Sequence, residues 1–275
     1  LGKLQKNEEL KLVLLQETPW VLQAQNENEQ KKNIALLFDL VRLANEKNNT
    51  LKKIAEAQTS NGGFSWFKGG PDDRYITQYI LTGIGHLRKL NAISKDDYSS
   101  LTPIVEKALK YLDARIKEDY AYLLKHKFKT SQNNLSGFGI QYLYMRSFFP
   151  EQPIVSSTQK AYNYYLGQSK KYWTGFGKYY QGMIALSLFR NSDEITAKKI
   201  INSLKENAIE SEEMGMYWKD FTKRGYYWYQ SPIESHSLLI EAFSDIDKNL
   251  QTVDNLKTWL LKNKQTNSWE STKAT

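Results

Sequence analysis

The feature that most constrains this chain is a repeated step in which a glycine precedes an aromatic residue and a helical apolar pattern follows. The first example is NGGFSWFKGGPDDRYITQYILTGIGHLRKL, residues 61–90, in which Pro71-Asp72-Asp73 is typical of a helix start. The steps lie at Gly63-Phe64, Gly137-Phe138, Gly175-Phe176 and Gly225-Tyr226. The later intervals are roughly 40 to 50 residues, the length of two helices and two turns, so the repetition favours architecture over chemistry.

Other helical patterns lie between these steps. They run from Ser99 to about His126, from Ser156 to Leu166, from Ile195 to Ala208 and from Leu250 to Lys262. Strand-like alternation is nearly absent, and no Pro/Gly/Ser-rich linker divides the chain. The sequence therefore predicts one all-α domain over 1–275, with an N-terminal helical extension over 1–50 and helical-hairpin repeats over 51–275.

Composition excludes several kinds of site. The chain contains no cysteine, so disulfides, thiolate metal sites and a cysteine nucleophile are excluded. The net charge of +8 raises nucleic acid as a partner. The lysines, however, are dispersed singly or in pairs, which favours a solvated basic surface, and no nucleic-acid partner is expected. No run of 18 apolar residues is present that could span a membrane.

Motifs for catalysis are weak. The three histidines are far apart in the sequence and form no metal-binding pair, so neither a metal nor a cofactor is expected. Asp72, Asp73, Asp220 and Glu234 lie where hairpin packing could gather them at one end of the domain, and glycosidases use paired carboxylates in aromatic-lined clefts. For Asp72 and Asp73, capping of a helix N-terminus is the simpler interpretation.

Three segments carry a resemblance to a known family. They are QTSNGGFSWFKGGPDDRYITQYILTGIGHL at 58–87, MYWKDFTKRGYYWYQSPIESHSLLIEAF at 216–243, and QTNSWESTKAT at 265–275. In their order and spacing they resemble the thioester-domain region of bacterial alpha-2-macroglobulin-like proteins, over roughly residues 10 to 275. The phrase from Trp269 to Thr275 is similar to the one that opens the last helix in that family.

The resemblance implies an α/α toroid, in which inner helices are ringed by outer helices. The expected inner helices start near Glu29, Arg74, Gly137, Lys178, Ile233 and Thr272. Both ends of the chain are interpreted as cuts through a longer toroid. The Gly–aromatic turns are then expected to cap the mouth of the ring, where glycine permits positive φ and aromatic side chains fill the centre.

The resemblance also implies a function. The expected role is that of a non-catalytic structural part of a protease-trapping inhibitor, and the absence of cysteine means that the family's thioester cannot form within these residues. The expected partners are target endopeptidases, through the full-length protein, and neighbouring domains of the same chain. The expected location, through the parent protein, is the bacterial envelope, either periplasmic or anchored to the outer membrane and extracellular, with no direct membrane contact by this segment.

An aromatic and acidic mouth is the candidate binding surface. Its members are Trp66, Phe67, Asp72, Asp73, Trp173, Trp218, Asp220, Tyr227, Trp228, Glu234 and His236. The alternative function is an α/α-toroid carbohydrate-active enzyme or glycan-binding domain that uses this mouth as a cleft. A scaffold predicts a filled centre with the acids capping helices, whereas an enzyme predicts an open pocket on which at least two of the acids converge.

Overall fold

The computed structural model describes residues 45–222 and 231–263, together with Asp39 and Arg42. The chain divides into two compact units between Gln58 and Thr59. In the first unit the described part is a helix over 45–57, here α1. The predictions made for Glu29, for Gly225-Tyr226 and for the closing motif at 265–275 lie outside the described residues.

The second unit is built from helices joined by short connections. Its helices are α2 (Arg74–Lys89), α3 (Lys95–Lys125), α4 (Gly137–Arg146), α5 (Ser156–Tyr172), α6 (Lys178–Arg190), α7 (Glu194–Glu206), α8 (Pro232–Ala242) and α9 (Leu250–Lys262). Two short antiparallel hairpins accompany them, β1 (Phe64–Ser65) with β2 (Asp72–Asp73), and β3 (Ile209–Ser211) with β4 (Gly215–Tyr217). A π-helical segment, Phe243–Asp247, extends α8.

The even-numbered helices form one layer. Helix α2 packs on α4, α4 on α6, and α6 on α8, while each of them also packs on the odd-numbered helix that follows it in the chain. The described part of the unit is thus a series of four helical hairpins, in which we call the even-numbered helices inner and the odd-numbered helices outer. The all-α class is confirmed, whereas closure of the series into a toroid stays a prediction.

The Gly–aromatic turn before α2 is structural. Gly62 has a φ of +96°, and a Cβ there would lie 2.4 Å from the carbonyl oxygen of Lys107, so only glycine fits. Phe64 is fully buried, and its backbone N–H donates to the hydroxyl of Thr77 at 2.9 Å. The turn therefore anchors the hairpin to α2 and α3, as the repeated pattern predicts.

Local capping sets the helix starts. Asp73, Ser136 and Asp193 accept hydrogen bonds from backbone N–H groups in the first turns of α2, α4 and α7. Helices begin at Arg74, Gly137 and Lys178, where helix starts were predicted, and the start predicted near Ile233 lies one residue earlier, because Pro232 occupies the first helical position. Among the described residues, no helix is both long and apolar enough to cross a membrane.

Candidate functional site

An open cleft of about 700 Å³ lies in the second unit, between the inner helices α2, α4, α6 and α8. The expectation that aromatic side chains fill the centre of a ring stays a prediction, because Tyr227 and Trp228 of the expected mouth lie outside the described residues. Gly83 on α2 lines the cleft, and a Cβ added there would meet no atom within 4 Å. The wall carries tyrosines, aliphatic side chains and a few polar groups, which is the usual composition of a small-molecule site.

One end of the cleft is a charged cluster centred on Glu241. One oxygen of its carboxylate accepts hydrogen bonds from Lys89 at 3.0 Å and from Arg190 at 2.6 Å. The other oxygen accepts one from the Tyr144 hydroxyl at 2.5 Å and lies 3.1 Å from the Nε2 of His86. A carboxylate has about four acceptor positions, so this one has its full complement of partners.

The electrostatics of the cluster keep Glu241 ionised. Burial acts to raise its pKa, but the hydrogen bond from His86 and the charges of Arg190, His86 and Lys89 outweigh burial and lower the pKa well below its usual range. Burial, followed by the neighbouring Glu241 charge, raises the pKa of the Tyr144 hydroxyl. A carboxylate held in this state cannot serve as a general acid near neutral pH.

Asp245 extends the cluster from the π-helical segment. It forms ion pairs with Lys89 and, at 3.2 Å, with Arg190. The guanidinium of Arg190 lies 4.1 Å from the ring centroid of Phe148, so it is held by an aromatic face as well as by two carboxylates. These contacts give the cluster a structural role, because they tie α2, α4, α6 and α8 together at one end.

The other end of the cleft is rich in tyrosine. Tyr75, Tyr79 and Tyr179 line it, together with Glu234. The rings of Tyr75 and Tyr79 are stacked with centroids 6.1 Å apart, and Trp66 stacks on Tyr75 at 6.0 Å. Trp66 and Tyr79 are 64% and 52% exposed, so this end presents aromatic faces to solvent.

The predicted acids do not converge. Asp73 caps α2 by accepting from the N–H of Ile76 at 2.9 Å, which confirms the capping interpretation. Asp72 accepts from the amide of Asn61 at 3.0 Å, and its hydrogen bond with Tyr111, followed by that from Asn61, holds its pKa below the usual range. Neither residue lines the cleft.

Asp220 also lies away from the cleft. It is an exposed residue in a 3₁₀ turn and forms an ion pair with Lys178. Of the four predicted acids, Glu234 alone lines the cleft, where it accepts a hydrogen bond from the Ser231 hydroxyl. The convergence of at least two of these acids that an enzyme requires is therefore not found.

The predicted aromatic residues separate into two groups. Trp173 and Trp218 are buried, and the indole N–H of Trp218 donates to the Leu204 carbonyl at 2.9 Å, so both belong to the core. Trp66 and Phe67 are exposed. Trp66 lies at the tyrosine end of the cleft, where it stacks on Tyr75. Tyr227 and Trp228 lie outside the described residues.

His236 is a core histidine. It is fully buried, its Nε2 lies 2.8 Å from the Leu256 carbonyl oxygen, and its ring packs 4.4 Å from that of Trp259. Burial lowers its pKa to about 4, against a smaller opposing effect of the hydrogen bond to Leu256. Within the described ranges, no group of three or more His, Asp or Glu residues could hold a metal ion.

Sequence reasoning missed the polar residues of the cleft wall. Gln78 on α2 and Gln141 on α4 are buried and line the cleft, and Glu241 lies two helical turns beyond Glu234 on α8. The spacing of seven residues between the two glutamates was a usable signal, because it places them on the same face of a helix. Nothing in the sequence indicated that α2 would bring His86 and Lys89 to the second of them.

Comparisons with known proteins identify no family. No protein-family model matches the sequence, and no curated protein matches it significantly. The proposed function therefore depends on the site itself. The site has a saturated charged cluster at one end, a tyrosine-lined opening with one carboxylate at the other end, and buried amides between them.

Proposed function

We propose that this chain is a non-catalytic structural part of an alpha-2-macroglobulin-like protease-trapping protein of the bacterial envelope. The observation that carries the proposal is the fixed state of the cleft's charged groups. Glu241, the most strongly perturbed carboxylate, has all of its acceptor positions occupied by side chains of three inner helices and is held ionised. Such a group stabilises a frame and does not transfer protons.

The turns and the helix order support the same proposal. The Gly62–Phe64 turn, the capping carboxylate of Asp73 and the buried Trp218 all have packing roles, so the features that the sequence repeats are explained without chemistry. The described helices follow one another as paired hairpins, which is the kind of arrangement that the resemblance implies, and this supports the proposal. With no cysteine in the chain, any thioester would have to lie outside it.

A capture experiment on the native full-length protein tests the proposal. The protein is incubated with an active endopeptidase and, in parallel, with the same enzyme blocked covalently at its active site. A trap that closes after cleavage retains the active enzyme through size-exclusion chromatography and leaves the blocked enzyme free. Equal retention of both enzymes, or of neither, contradicts the proposal.

A second candidate is a glycan-binding domain, and the stack of Trp66, Tyr75 and Tyr79 beside an open cleft is the observation that favours it. Glycoside cleavage is disfavoured because Glu234 and Glu241 are about 10 Å apart along α8 and the second is saturated. Binding of a neutral oligosaccharide that the Trp66→Ala variant loses, with no release of reducing ends, would support glycan recognition.

A further inference from the structure

The middle of the cleft carries a buried amide without a hydrogen-bond partner. Gln141 on α4 lines the cleft and is 8% exposed. Within the described part of the chain, its side chain makes no hydrogen bond, and unlike the Oε1 of Gln78 its Oε1 and Nε2 are not sealed from solvent. Both atoms therefore reach the open space of the cleft. A buried amide in this state costs free energy that a ligand with a complementary group would recover.

Two hydroxyl groups lie at the same level of the cleft as this amide. In the charged cluster, α2, α4 and α8 meet near their C-terminal ends through three residues, His86, Tyr144 and Glu241. Thr82 and Ser237 precede the first and the last of these by four residues, and Gln141 precedes the second by three. Residues at these spacings share a face of a helix, about one turn apart. Thr82, Gln141 and Ser237, which all line the cleft, therefore form one layer beside the cluster, here called the neutral layer.

The hydrogen-bonding capacity of the neutral layer is mostly that of an acceptor. The hydroxyls of Thr82 and Ser237 donate to the carbonyl oxygens of Gln78 and Ile233, each at 2.8 Å. A hydroxyl has one hydrogen, so each of the two retains acceptor capacity only. The Gln141 side chain adds one acceptor oxygen and one donor NH₂ group. The layer thus offers three acceptor oxygens and one donor nitrogen, and it carries no charge.

We propose that the neutral layer binds the primary carboxamide group of a small molecule with an apolar body. The carbonyl of the ligand accepts from the Nε2 of Gln141, and its NH₂ group donates to the Oε1 of Gln141 and to the hydroxyl oxygen of Thr82 or Ser237. A carboxylate has no hydrogen to donate, and it would face the acceptor oxygens with a negative charge. An amidinium has donors only, so it would leave the Nε2 of Gln141 without an acceptor.

The apolar wall beside the layer accommodates the body of such a ligand. Met183 on α6 and Leu238 on α8 line the cleft, and nothing lies within 4 Å of a Cβ added at Gly83. The volume of about 700 Å³ lies within the usual range for small-molecule sites. This site goes beyond the proposed structural function, since a scaffold requires no ligand. Either proposal can fail without the other, because carboxamide binding does not depend on protease capture.

Three probes of nearly equal shape test the requirement for both a donor and an acceptor. Benzamide, acetophenone and benzoate are each titrated into the full chain near neutral pH, and binding is measured by isothermal calorimetry. We expect benzamide to bind at least about tenfold more tightly than acetophenone, which has the carbonyl but lacks the NH₂ donors. Benzoate is expected to bind no more tightly than acetophenone, because it also lacks a donor and carries a charge into a neutral layer.

A glutamine pair identifies the group that gives the preference. Gln141→Leu removes both amide atoms and is expected to abolish the preference for benzamide over acetophenone. Because that amide has no partner to lose, the variant is expected to match or exceed the wild type in thermal stability, which separates loss of binding from loss of folding. The control Gln251→Leu replaces an exposed glutamine on α9, outside the cleft, and is expected to leave all three affinities unchanged.

A second variant tests the hydroxyl groups of the layer. Thr82→Val combined with Ser237→Ala removes two acceptors, and is expected to weaken benzamide binding several-fold while leaving acetophenone binding nearly unchanged. Equal affinity of the wild type for benzamide and acetophenone, or binding of none of the probes, would overturn the proposal. A preference for benzamide that survives in Gln141→Leu, or that Gln251→Leu loses equally, would also overturn it.

Discussion

The Nε2 of His86 lies 3.1 Å from a carboxylate oxygen of Glu241, a residue 155 positions further along the sequence, and the contact joins two inner helices. Helices α2 and α8 are the first and last inner helices of the described series. With Lys89 on α2 and Arg190 on α6, this contact makes Glu241 the point at which non-consecutive inner helices are held together.

Replacement of Glu241 by glutamine is expected to lower the free energy of unfolding by about 2 kcal/mol, because it removes one of the two carboxylates that Arg190 and Lys89 share in a mostly buried site and leaves Asp245 to pair with both. Urea denaturation measures the change. The control is Glu194→Gln, which breaks an exposed pair with Lys198 and is expected to cost less than about 1 kcal/mol. Equal effects of the two variants would contradict a structural role for the cluster.

The contribution of Glu241 to the free energy of unfolding is expected to depend on pH. Because its folded pKa lies below that of an unfolded glutamate, about 4.3, the stabilisation is fully present above about pH 5 and is lost as the pH falls toward the folded pKa. The difference in unfolding free energy between wild type and Glu241→Gln should therefore shrink on acidification below about pH 4.3. A difference that grows there would contradict the assignment.

Gly83 and Gly85 on α2 should respond in opposite directions to alanine. A Cβ at Gly85 would lie 2.6 Å from the Phe148 side chain, so Gly85→Ala is expected to destabilise by about 1 to 3 kcal/mol. At Gly83 nothing lies within 4 Å of the added Cβ, and Gly83→Ala is expected to stabilise by about 0.5 to 1 kcal/mol. Thermal unfolding of the pair measures both, and destabilisation by Gly83→Ala would show that the cleft is filled.

His236 should make the protein less stable at mildly acidic pH. Its folded pKa, about 4, lies below the unfolded value of about 6.5, so the unfolded chain binds the proton more readily. The contribution of His236 to the free energy of unfolding is therefore fully present above about pH 6.5, and it falls by up to about 3 kcal/mol as the pH drops toward 4. In His236→Phe this part of the decline should disappear, whereas His126→Gln, at an exposed position, controls for loss of a histidine.

Replacement of the buried Trp218 and of the exposed Trp66 should lower the free energy of unfolding by different amounts. Trp218→Ala removes a fully buried indole and its hydrogen bond to Leu204, and is expected to cost about 3 to 5 kcal/mol. Trp66→Ala removes a largely exposed ring stacked on Tyr75, and is expected to cost less than about 1 kcal/mol. Comparable losses in the two variants would contradict the division between core and cleft mouth.

Most of the described fold follows from local signals in the sequence. The patterns predicted from Leu250 to Lys262 and from Ser156 onward correspond to α9 and α5, because periodicity and capping are properties of neighbouring residues. The requirement for glycine in the turn at Gly62 and Gly63 was predictable for the same reason. These features need no knowledge of distant contacts.

The site was less predictable because it depends on contacts between distant residues. His236 follows Glu234 by two positions, yet it faces Trp259 in the core while Glu234 faces the cleft. Trp218 and Trp66 each follow a glycine by a few residues, but the tertiary packing buries the first and leaves the second exposed. Sequence composition marks such residues as candidates, and the tertiary structure assigns their positions.

The most direct test of the proposed trapping function compares two substrates of one captured endopeptidase. The native full-length protein is mixed in excess with the enzyme, and cleavage of a large protein substrate and of a small chromogenic peptide is measured in the same sample. A trap encloses the enzyme without blocking its active site, so we predict that protein cleavage is lost while peptide cleavage is retained. Equal retention of both activities would contradict the account, as would equal loss of both.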